Sequence, residues 1–117
     1  MRVEFALPLP SRGNARGRSI AQTRRTALQR SAARLAVQGS GETIELPVRV
    51  VMTRVSARLL DFVNLCMTLK AVQDGIADAF GVTDSPKETR VTWVFEQEQR
   101  KGMGGAQRVR IEVTACR

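Results

Sequence analysis

The sequence predicts an α+β domain in the order β-α-β-α-β-β, with two helices packed on a small mixed sheet. Three observations predict it. Short segments near both ends and in the middle alternate apolar and polar residues with the period of a strand. Two longer segments repeat apolar residues with the period of a helix. The chain has 117 residues, enough for one core and too few for two, so 1–117 reads as a single domain.

The first strand is Val3 to Leu7, with Val3, Phe5 and Leu7 alternating against Glu4 and Ala6. Pro8 and Pro10 end it, because neither donates to a ladder. SRGNARG, from Ser11 to Gly17, is a loop by composition. Ser19 caps a helix from Ile20 to Val37 whose apolar side carries Ile20, Ala27, Leu28 and Leu35, and Gly39 to Gly41 stops it. Glu42 to Val55 then reads as one long strand with Ile44, Leu46, Val48, Val50 and Met52 on one face. Pro47 within it implies an edge position or a bulge.

Asp61 is placed to cap the second helix by accepting from the backbone N–H of Asn64. Phe62, Leu65, Cys66, Leu69, Val72, Ile76 and Phe80 form its core stripe. Asn64, Thr68, Ala71, Gly75 and Asp78 fall opposite, and Lys70, Asp74 and Asp78 step along the surface at i, i+4. Gly81 suits the left-handed C-terminal position, and Pro86 excludes continuation. Arg90 to Glu96 and Gln107 to Thr114 alternate again, and the KGMGG between them predicts an antiparallel hairpin. Trp93 is expected in the core or at an interface.

Composition narrows the function. The net charge is +8, and all but three of the nineteen basic residues are arginine. From Ser11 to Arg34 there are seven arginines and no acid, which points to a polyanionic partner rather than a charge-mixed solvated face. Four Phe, one Trp and no Tyr argue against base stacking on aromatic platforms. The absence of histidine removes His-based triads, His general bases and most zinc-hydrolase designs. Cys66 reads as a small buried hydrophobe, and it and Cys116 match no metal-ligand spacing. No segment is long enough to span a bilayer and the N-terminal apolar run is too short for a signal peptide, so a cytoplasmic setting is expected.

Against that basic background the helix from Phe62 to Phe80 has Asp61 before it and Asp84 after it. One reading is a capped core helix with a polar exit turn; the other is metal-dependent chemistry on a phosphate backbone. The motifs favour the second. A strand ending in prolines leads into an Asn-bearing basic loop (LPLPSRGNARGR), an arginine-rich helix and a second strand. Asp61, Asn64, Lys70, Asp74 and then GVTD, ending at Asp84, follow in order. This pattern resembles the RusA family of Holliday-junction resolvases, over most of the chain.

The resemblance implies an intertwined homodimer that cuts four-way DNA junctions with Mg²⁺, or Mn²⁺, in recombination and repair on mobile elements such as prophages. It implies Asp61 and Asp84 as metal ligands and Lys70 as the group that stabilises phosphate charge, with Asn64 and Asp74 in support. Arg12, Asn14, Arg16, Arg18, Arg24 and Arg25 would hold DNA. The family motif is D-x-D-N, and Val63 stands where its second aspartate belongs. Loss of that ligand raises the alternative of a catalytically impaired relative that binds junctions without cutting them. A straight helix of about twenty residues rises roughly 30 Å, so Asp61 and Asp84 can share an ion within one chain only if the helix breaks, for example near Gly75. Otherwise the site is completed by a second copy with its helix antiparallel.

Overall fold

The structure, a computed structural model, describes residues 1–11, 20–83 and 85–116. The element order is the expected one: β1 (Arg2–Ala6), α1 (Ile20–Gln38), β2 (Val48–Ser56), α2 (Phe62–Phe80), β3 (Val91–Gln99) and β4 (Gln107–Ala115). They build an α+β domain around one four-stranded mixed sheet in the order β1-β4-β2-β3. β2 runs parallel to β3 and antiparallel to β4, and β1 pairs antiparallel with β4 at the other edge.

The core lies between one sheet face and α2. Val48, Val50 and Met52 of β2 stand in register with Val91, Trp93 and Phe95 of β3 and with Ala115, Val113 and Ile111 of β4. Leu65, Leu69, Val72 and Ile76 of α2 close over them, burying apolar side chains that each contribute on the order of 2 kcal/mol. The other sheet face carries Val51, Thr53 and Val55, which are also buried. They are flanked by long ion-paired side chains: Glu4 receives Arg100 at 3.1 Å and Arg108 at 3.0 Å, and Glu98 receives Arg110 at 3.0 Å.

α1 packs against α2 through a seam of small residues. A Cβ on Gly75 would stand 2.1 Å from the Arg30 carbonyl oxygen and 2.9 Å from the Ala33 Cβ, so only glycine permits this approach. Arg30 then grips Asp78 with two hydrogen bonds of 2.7 and 2.8 Å. α2 runs unbroken through Gly75 and ends at Gly81 in the left-handed conformation (φ 68°), so the expected alternative of a helix broken there is excluded.

Four expectations are corrected. The strand expected over Glu42 to Val55 begins only at Val48, after a cis Leu46–Pro47 bond, and it lies inside the sheet rather than at an edge. Its two apolar faces suit a central strand, and Pro47 sits outside the ladder it would have interrupted. β3 and β4 form no hairpin, because β2 lies between them; residues 100–106 cross the end of β2, where the Arg100 N–H donates to the Ser56 carbonyl at 2.9 Å.

On α1, Ile20, Ala27, Leu28 and Leu35 face outward, and Gln29, Ala33 and Val37 are buried instead. On α2, Phe62 is exposed and Cys66 partly so, whereas Thr68, Ala71 and Gly75, expected on the polar side, are buried. α2 has two buried faces, one toward the sheet and one toward α1.

Candidate active site

The N-terminus of α2 is set in place by the exit of β2. Arg54, near the end of that strand, donates from Nε to the Leu9 carbonyl at 2.9 Å and from Nη1 to the Arg58 carbonyl at 2.9 Å. This draws the turn after Ser56 back onto the sheet. Gln97 of β3 then clamps Leu60 from both sides, accepting from its N–H at 2.9 Å and donating to its carbonyl at 2.7 Å. The next residue is Asp61, extended at φ −66° and ψ 161°, as an N-cap must be.

Asp61 performs the capping expected of it. Its carboxylate accepts from the Asn64 backbone N–H at 3.3 Å and from the Asn64 side-chain Nδ2 by a short contact. The Asn64 side chain and then its backbone hold the Asp61 carboxyl below the usual carboxylate range, so it is an anion at neutral pH. The group is exposed. Its sequence neighbours Leu59, Phe62 and Val63 are apolar and exposed, Val63 in the first turn at 65%, and Met67 further along the helix is exposed too.

Lys70 and Asp74 form an i, i+4 ion pair at 2.9 Å on the outer face of α2. Nine residues separate Lys70 from Asp61, a rise of roughly 14 Å along the axis, so the two do not meet within one chain. Arg24 and Arg25 lie exposed on α1. Asp84, Arg12, Asn14, Arg16 and Arg18 lie outside the described residues.

The donor set bears directly on magnesium, which takes octahedral oxygen ligation, commonly from one or two carboxylates with waters and phosphates. Among the described residues no three Asp, Glu, Cys or His side chains gather in a metal-holding group. Asp61 is the carboxylate at this end of α2, both its oxygens already accept from Asn64, and Asp74 is held by Lys70. Among the described residues of one chain, Asp61 supplies an exposed carboxylate but no three-ligand group.

Sequence reasoning missed Arg54, Arg58 and Gln97. A usable signal exists for Arg54: it shares the parity of Val48, Val50 and Met52, so it had to face the core. Gln97 falls on the same face of β3 as Trp93 and Phe95.

Among the described residues no helix is long and apolar enough to cross a membrane. No protein-family model, no curated protein and no solved structure matches this chain.

Proposed function

We propose that this chain is a RusA-like protein of four-way DNA junctions, a divalent-metal-dependent endonuclease whose working end is the N-terminus of α2. The observation that supports the reading best is Asp61, which is exposed, anionic and fixed through the Arg54, Gln97 and Asn64 hydrogen bonds. Ion-assisted phosphodiester hydrolysis needs such a carboxylate, held in position before substrate arrives. The net charge of +8 and the exposed Arg24 and Arg25 supply the attraction for backbone phosphates.

No three ligating side chains gather among the described residues of one chain, and a second copy would bring further carboxylates to the ion. In a two-fold dimer with antiparallel α2 helices, the Asp61 end of one helix would meet the end of the other from which the chain runs on to Asp84, twice, which would suit symmetric cuts in two strands. The exposed apolar side chains beside Asp61 in the sequence support a protein partner at this end of the helix. Lys70 then serves to neutralise phosphate charge, with Asn64 and Asp74 orienting their neighbours.

Val63 favours a second reading, a relative that binds junctions without cutting them. Valine supplies no ligand oxygen where the family motif has its second aspartate. Incubation with a synthetic four-way junction and Mg²⁺ or Mn²⁺ decides between the two. Paired nicks support the endonuclease, salt-sensitive binding without nicks supports the second reading, and no preference for the junction over linear duplex overturns both.

A further inference from the structure

A cleft of about 420 Å³ opens where β2 leaves the sheet, lined among others by Ser11, Arg54, Ser56, Arg58, Gly105 and Gln107. Arg54 is the unusual member. It is only 4% exposed, yet among the described residues no carboxylate pairs with it. A buried guanidinium without a counter-ion is costly, and two backbone carbonyls do not neutralise it. Those carbonyls occupy Nε and Nη1, and among the described residues Nη2 has no hydrogen-bond partner. Burial accordingly pulls the Arg54 pKa down, the mark of a charge lacking its complement.

The surroundings suit an oxyanion. The Ser56 hydroxyl lies at the cleft and accepts only a long 3.4 Å contact from the Arg58 N–H. Arg58 brings a second cation, and among the described residues no acidic side chain lines the wall. Gln107 accepts from the Leu9 N–H through its amide oxygen and spends one of its two amide N–H groups on the Gly105 carbonyl. Gly105 leaves the mouth open, with no atom within 4 Å of a built Cβ.

We infer that this cleft is an oxyanion site in which Arg54, with Arg58 and Ser56, holds a phosphate group. Guanidinium forks match phosphate oxygens geometrically, and the low exposure of Arg54 strengthens the pair. That the phosphate belongs to a nucleic-acid backbone rests on the junction reading above; the site itself does not.

The test compares melting of the full chain in sodium phosphate and in sodium chloride, at one near-neutral pH and matched ionic strength. Phosphate should raise the melting temperature by several degrees over chloride. Arg54→Met should lose that increment. If Arg54→Met does not fold, Gly105→Asp decides, because it leaves the Arg54 hydrogen bonds intact and sets a competing carboxylate at the mouth; it too should lose the increment. Equal melting in both salts, or an increment that survives Gly105→Asp, would overturn the site. A second arm identifies the source of the phosphate by titrating four-way junction DNA. Weakening of about tenfold in Gly105→Asp, with competition by inorganic phosphate, supports the backbone. Unchanged junction affinity alongside a lost increment would overturn that assignment and leave a site for free phosphate. If the wild-type chain ignores the junction but keeps a phosphate increment that Gly105→Asp abolishes, the junction reading fails and the oxyanion site stands.

Discussion

Asp61 and Asn64 form a closed pair at the head of α2: the carboxylate accepts both the backbone N–H and the side-chain amide of the same asparagine. Capping and the proposed ligand role therefore reside in one side chain, and they can be separated. Asparagine also caps helices well but carries no charge. Asp61→Asn should melt close to the wild type while abolishing any metal-dependent cleavage of a junction; Asp61→Ala should lose both. Thermal melting alongside a nicking assay checks the pair, and cleavage surviving in Asp61→Asn would remove the ligand role.

Gly75→Ala tests the helix seam. In an exposed helix the change would gain roughly 1 kcal/mol of propensity. Here the new Cβ meets a backbone oxygen at 2.1 Å, which cannot swing aside as a side chain does. The expected net is a loss of roughly 1–3 kcal/mol from overpacking, read as a lower midpoint in urea with little change in slope.

Stability should also fall in acid, through Glu4. Hydrogen bonds from Arg100 and then Arg108 outweigh its desolvation and hold its pKa at about 2, against 4.5 ordinarily. Because the folded value is the lower, its contribution is fully present above about pH 4.5 and is lost as pH falls toward 2. Glu4→Gln should destabilise the chain at neutral pH and flatten the pH dependence between those values. Melting curves across that range check it, and an unchanged slope would show that the network carries no net stability.

The exposed Arg24 and Arg25 offer a test of DNA contact. If each neutralises one phosphate, changing both to Gln should lower the salt dependence of junction binding by about two in logarithmic slope. Affinity at low salt should fall with it. A weaker affinity with an unchanged slope would place these arginines away from the phosphates.

Much of the fold was legible because its signals are local. The cap at Asp61, the stop at Gly81 and the strand alternation at Val91 to Phe95 each depend on a few neighbouring residues. Pairing is not local. The glycines of KGMGG suit a hairpin turn, but β2 is apolar on both faces and takes the place between β3 and β4. The α1 face was misread for a related reason. Its close contact with α2 selects small residues, Ala33 against Gly75, so the larger Ile20, Leu28 and Leu35 mark the outside. In the site, Asp61 and the Lys70–Asp74 pair were readable from spacing. Arg54 was not, because a lone arginine in a strand reads as solvent-facing until the parity of its neighbours is weighed.

The most direct test of the account lies at Val63, exposed in the first turn of α2 beside Asp61. An aspartate is well tolerated there, since negative charge in a first turn complements the helix dipole. The measurement is cleavage of a synthetic four-way junction in Mg²⁺ or Mn²⁺ by the wild type and by Val63→Asp. Paired symmetric nicks are expected to be weak in the wild type and strong in Val63→Asp. A folded Val63→Asp protein that binds the junction and never nicks it would contradict the placing of an active site at this end of the helix.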